Sequence, residues 1–233
     1  MNELLLIVSL IVEFSTVLLA YRFFGKSGLY AMTVFCTLLA NIEVIILIRA
    51  FGMEQTLGNI LFAASFLITD ILSENEGKKA ATKAVNLGIF TSVAFVAVTQ
   101  SWLLYSPSQS DFAMESIKTV FSNTPRIIIA SLLVYAVTQR LDVWLYHKWW
   151  DFTGKKFGDT RKYLWLRNNG STLISQFFNS FLFNFAAFFG TYNFLTTLTI
   201  AFSGYIIYVF TSILDTPAMY LARRMKEKGK IAD

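Results

Sequence analysis

Seven long apolar stretches make up most of this chain, at residues 4–24, 29–51, 56–72, 84–105, 126–146, 172–192 and 195–222. A helix needs roughly 20 mostly apolar residues to cross the hydrocarbon of a bilayer. Each stretch therefore predicts a membrane span, and together they predict an all-α, polytopic helical bundle forming one domain over residues 1–233. Most connections are short. The exceptions are a polar segment at 106–125, which contains Pro107, and a Trp- and Lys-rich segment at 147–169. No internal repeat or linker divides the chain. Several spans carry carboxylates and amides, which lipid tolerates only when a partner or a ligand satisfies them.

Composition agrees with a membrane environment. Hydrophobic residues are 55% of the chain and charged residues 15%, whereas a soluble domain carries about a quarter charged residues. The net charge of +5 could point to nucleic acid, but its distribution points to topology. Arg22 and Lys26 follow the first span, and Lys78, Lys79 and Lys83 the third. Lys148, Lys155, Lys156, Arg161, Lys162 and Arg167 follow the fifth, and Arg223, Arg224, Lys226, Lys228 and Lys230 the seventh. The alternate connections hold only Arg49, Lys118 and Arg126. The positive-inside rule then predicts about seven spans with the N-terminus out and the C-terminus in, a lipid bilayer as partner, and no nucleic acid. Glu3 and the lack of a basic leader mark residues 1–6 as the start of a retained span. Trp149, Trp150 and Trp165 read as interfacial anchors. A single His147 excludes a multi-histidine metal centre, Cys36 has no intrachain partner, and no cofactor is expected.

The densest polar run closes the third span: Thr69, Asp70, Ser73, Glu74, Asn75 and Glu76. Asp70 and Glu74 are four residues apart and share a helix face, so the two carboxylates repel unless a cation, proton or ligand donor lies between them. A second reading places Glu74 and Glu76 in water, paired with Lys78 and Lys79. Asn41 and Glu43 lie in the second span and point in different directions. Glu13 lies deep in the first. Gln139 and Asp142 share a face of the fifth span, with Arg140 free to snorkel. Gln176 and Asn179 share a face of the sixth, and Asp215-Thr216-Pro217 lies in the seventh, where the proline frees a carbonyl one turn earlier. No G-x-x-x-x-G-K-[ST] occurs, and no nucleophile is set beside a histidine base, so the chain is not expected to be an enzyme.

The run Thr56-Leu57-Gly58-Asn59 through Thr69-Asp70-Ile71-Leu72-Ser73-Glu74-Asn75-Glu76-Gly77-Lys78-Lys79 resembles the signature of the bacterial queuosine precursor transporters, a branch of the vitamin-uptake-like transporters. Gln139 to Asp142, Ser171 to Gln176, Leu214-Asp215-Thr216-Pro217 and Asn41-Ile42-Glu43 agree in order and spacing. The resemblance implies a bundle related to the substrate-binding components of energy-coupling-factor transporters. It also implies multi-pass insertion in the bacterial cytoplasmic membrane and uptake of a small-molecule 7-deazapurine. Six spans are usual there, so the first span here is an addition. Many members carry Asp where this chain has Asn179, which bears on the substrate or its charge.

The chemistry is compatible with a deazaguanine. Its N–H and NH2 edge suits a carboxylate, its carbonyl suits an amide donor, and its ring suits an aromatic slot. The expected binding residues are Asn41, Glu43, Asp70, Glu74, Gln139, Asp142, Gln176, Asn179 and Asp215. A separate energising ATPase module is one source of drive; the substrate gradient or coupled protons are others. Two further readings are a binding subunit for another small vitamin, and a membrane scaffold or intramembrane enzyme.

Overall fold

The computed structural model describes residues 1–122, 125–159, 162–188, 190 and 192–232. Arg161, counted above among the loop cations, and residues 123 and 124 of the long polar connection lie outside them. The elements run α1 (Asn2–Glu43), β1 (Leu47–Ala50), β2 (Met53–Thr56), α2 (Asn59–Asn75), α3 (Lys78–Trp102), α4 (Met114–Ser122), α5 (Pro125–Phe157), α6 (Leu164–Phe188) and α7 (Phe194–Glu227). Helix accounts for 82% of the chain and the strands form one small hairpin, so the helical class holds.

The first two apolar stretches form two arms of α1, 2–24 and 26–43, broken at Gly25 (φ 54°, ψ −141°). The arms are antiparallel. The side chain of Asn2 donates to the Arg49 carbonyl at 2.8 Å, and the Phe51 N–H donates to Glu3 at 3.1 Å, so the chain start meets the segment that follows the second arm. The backbone at Gly25 is essentially closed to other residues, and a Cβ there would stand 2.5 Å from the Ala232 carbonyl. Gly25→Ala is therefore expected to destabilise the protein by about 1–3 kcal/mol, read as a lowered thermal transition in detergent. Ending the chain at Lys230 should recover only the part due to the clash.

The second arm stops at Glu43, not at residue 51 as the hydropathy suggests. Leu47–Ala50 instead pairs with Met53–Thr56, with Arg49 opposite Glu54. Phe51 (φ 53°) and Gly52 (φ 74°) make the two-residue turn with positive φ at both positions that antiparallel strands favour.

α2 is buried continuously from Ile60 to Ser73, its polar Ser65, Thr69 and Asp70 included, which makes it the central post of the bundle. α1, α3, α5 and α7 are long and apolar enough to cross a membrane. α2 has 17 residues, and α6 breaks its apolar run with Ser175, Gln176, Asn179, Ser180 and Asn184. The long connections are also more ordered than expected. The first contains α4. Most of the second is helix, because α5 continues to Phe157 and α6 begins at Leu164. Trp149 and Trp150 thus lie on α5, partly buried, while Trp165 is exposed. α7 runs unbroken through Pro217.

Candidate functional site

A column of buried polar side chains runs along the contact of α2, α5, α6 and α7. In its middle, Gln139 on α5 donates from Nε2 to Ser65 Oγ at 2.8 Å and accepts from Thr69 Oγ1 at 3.1 Å, so its amide is spent on α2. Three residues on, Asp142 turns to α6, where Ser175 Oγ donates to its Oδ1 at 2.8 Å. Asp70 accepts from Thr172 Oγ1 at 3.0 Å, and Asn179 donates to Gln176 at 3.2 Å. Asp70, Gln139 and Asp142 are fully buried, and Gln176 and Asn179 nearly so. The shared faces expected from spacing are thus real, and they bring these five residues together.

The column is not fully satisfied. Asp70 Oδ1 and Asp142 Oδ2 are buried without a hydrogen-bond donor, although the two carboxyl groups lie beside one another. Such atoms are expensive to leave unpaired, and facing acceptors need an N–H or O–H between them.

Glu74 does not pair with Lys78, nor Glu76 with Lys79. The turn at Gly77 (φ 84°) starts α3 in a new direction and leaves both lysines exposed. Glu74 instead takes Arg167 Nη2 at 2.8 Å, Tyr146 Oη at 2.6 Å and Arg223 Nη1 at 3.5 Å. Arg167 is wholly buried, and its guanidinium sits 4.3 Å from the ring centroid of Trp150. Glu76 pairs with Lys226 at 2.7 Å and accepts from Tyr21 Oη at 2.8 Å. Arg167, grouped by sequence with the loop cations, is instead a helical ion-pair partner. Its one signal was its place four residues before Ser171, on the same α6 face as the polar motif.

Of the remaining expected residues, Asp215 borders the centre, near enough to Asp70 and Asp142 for their charges to interact, and Asn41 and Glu43 lie apart from it. Asp215 accepts from Asn168 Nδ2 at 2.6 Å, between the centre and the Glu74 cluster. Asn41 donates to the Thr37 carbonyl at 2.9 Å and to Ser92 Oγ at 3.4 Å, on the side of α3. Glu43 ends α1, half-buried, and Glu13 is half-buried on the first arm. Arg140 is exposed and reaches Asn86 at 3.3 Å.

At the opposite end of the column from Glu74 lies a cavity of about 190 Å³. The hairpin, the start of α2 and the facing ends of α6 and α7 enclose it. None of the nine expected residues lines it. Its polar groups include Gln55, Asn59, Ser180, Asn184 and Tyr208, and Phe183, Phe188 and Tyr192 give it aromatic walls. Asn59 organises one side, accepting from Tyr208 Oη at 2.8 Å and donating to Gln55 Oε1 at 3.3 Å. That leaves Gln55 Nε2 buried with no acceptor. Hydropathy conceals Gln55, because the hairpin that carries it borders an apolar stretch.

The chain is 38% identical over 215 residues to a protein of Bacillus subtilis (strain 168) named "Probable queuosine precursor transporter", covering 92% of each chain. No solved structure matches. The family model described as "Putative vitamin uptake transporter" matches residues 56–222, the span from the end of the hairpin to the last turns of α7. The chain is thus a membrane protein that belongs to this vitamin uptake transporter family, whose members are transporters rather than enzymes.

Proposed function

We propose that the protein imports a 7-deazapurine precursor of queuosine across the bacterial cytoplasmic membrane, as a seven-span bundle with its N-terminus outside and its C-terminus inside. The observation that carries this reading is the cavity, whose amides and aromatic walls suit a flat, hydrogen-bonding bicyclic base. The name of the Bacillus relative supports the same substrate class. In the proposed orientation the cavity opens outward, and the ends of α2, α6 and α7 that carry Glu74, Arg167 and Arg223 lie on the basic, cytoplasmic side.

The base enters the cavity against Gln55 and Asn59, then passes down the polar column. There the unpaired oxygens of Asp70 and Asp142 accept from its N–H and NH2 edge, in place of the donor they lack. Gln139, Gln176 and Asn179 line that path, Asn41, Glu43 and Asp215 flank it, and Glu74 closes it. Asn179 contributes an amide and no charge to the path.

The assignment is tested in cells that cannot make the precursor, supplied with it at micromolar concentration. Expression of the protein should restore queuosine to transfer RNA; transfer RNA that stays unmodified refutes the function. Asp70→Asn and Asp142→Asn should each reduce restoration at least tenfold at unchanged membrane abundance, and full restoration by both removes the pair from the path. The proposal includes a separate ATPase module as an energy source. Co-purification of such a module from native membranes supports it, whereas import by the purified chain alone in vesicles makes it unnecessary.

A further inference from the structure

We propose that Glu74, Arg167 and Arg223 form the cytoplasmic gate of the transport path, an ion-pair plug that must hydrate and part before substrate leaves. The inference rests on the transport reading above and adds a moving part to it. Asn59, at the cavity, and Glu74 are fifteen residues apart on α2, or about 22 Å at the helical rise. The cavity therefore serves one end of the column and the ion cluster seals the other. The cluster joins the three helices that would have to separate, with Glu74 on α2, Arg167 on α6 and Arg223 on α7.

The chemistry suits a plug with two stable states. An apolar plug would expose its whole buried area on opening. A buried ion pair gives up its mutual attraction but regains hydration of both charges, and the two nearly offset each other. Arg167 has 0% exposure in the closed state, and every polar atom of Glu74 is engaged by Arg167, Tyr146 or Arg223. Two backbone features flank the plug. Gly77 has φ 84° with open space on its Cβ side, three residues beyond Glu74, and Pro217 removes one α7 hydrogen bond six residues before Arg223. The Glu76–Lys226 pair lies outside the plug and more exposed, so it is not the seal.

A thiol one turn inside the plug tests the gate. Ser171 is fully buried; its Oγ donates to the Arg167 and Asn168 carbonyls and its side chain also lies beside Asp142, so every labelling comparison is made within one Ser171→Cys, Cys36→Ser background. The probe is a membrane-impermeant maleimide, applied to right-side-out and inside-out vesicles. Glu74→Gln is expected to raise labelling at least tenfold from the cytoplasmic face alone, with no substrate present. With Glu74 intact, the nitrile or aminomethyl deazaguanine should raise it severalfold from that same face. Unchanged labelling in Glu74→Gln overturns the gate. Equal labelling from both faces also overturns it, because the pair is then a clamp for the whole bundle. Loss of the deazaguanine response with the Glu74→Gln response intact overturns the substrate reading and supports the gate.

Discussion

Arg167→Ala should destabilise the protein by about 3–5 kcal/mol, the usual result of removing one partner of a buried ion pair. The whole stability of a domain is about 5–15 kcal/mol, so the variant should lose much of its folded population in detergent well below the native transition. The reason lies with the group left behind. Glu74 is nearly buried and would keep only Tyr146 and the more distant Arg223, while the face of Trp150 would lose its cation. Glu74→Gln added to Arg167→Ala should recover part of the loss, since a neutral amide needs no counter-charge. The check is thermal or denaturant unfolding of the purified protein, both variants in one detergent. A loss below about 1 kcal/mol, the range of exposed pairs, would show that water reaches the pair in the closed state. Gate opening does not carry this penalty, because it hydrates both charges instead of deleting one.

Gln55→Met separates binding from folding by moving them in opposite directions. The Nε2 of Gln55 is buried, unpaired and at the cavity wall. An orphaned buried donor destabilises a fold by about 1–3 kcal/mol. Methionine fills similar space without that donor, so the empty protein should be as stable as the parent or more so. A substrate carbonyl that takes up Nε2 is lost at the same time, and affinity for a deazaguanine should fall about tenfold or more, the equivalent of 1.4 kcal/mol. Equilibrium binding and unfolding on the same preparation give both readings. Unchanged affinity would show that the base does not reach the hairpin end of the cavity.

Much of the centre was legible in the sequence. Asp70, Gln139, Asp142, Gln176 and Asn179 were singled out because a polar group inside an apolar helix stands against its background. Their helical spacing then assigned faces correctly: Gln139 and Asp142 lie on one side of α5, close enough to serve α2 and α6 in turn. The pairing of the carboxylates was not legible. Glu74 and Glu76 have lysines four and three residues away, yet their cationic partners lie more than ninety residues distant, on α6 and α7. Local spacing predicts a contact only while the helix continues, and Gly77 ends it. Arg167 was misread because a cation next to an apolar stretch marks topology in most membrane chains. The cavity was missed because Leu47–Phe51 is apolar enough to extend a span, while the two positive-φ residues at Phe51 and Gly52 turn it into a hairpin.

The sequence by itself determined the class of this protein. The length and polarity of its stretches dictate helices in an apolar surrounding, since backbone groups in lipid must bond within their own segment, and its motifs indicated the transporter family that comparison then showed. Tertiary structure alone decided which polar groups meet: that α6 reaches Asp70, Asp142 and Glu74, that a cavity lies at the hairpin, and that a buried ion pair lies at the other end. Periodicity is a property of one helix and is written in its residues. Contact between helices depends on where each turn sends the next one, and at Gly25, Gly52 and Gly77 a change of direction is made by single residues whose hydropathy carries no sign of it.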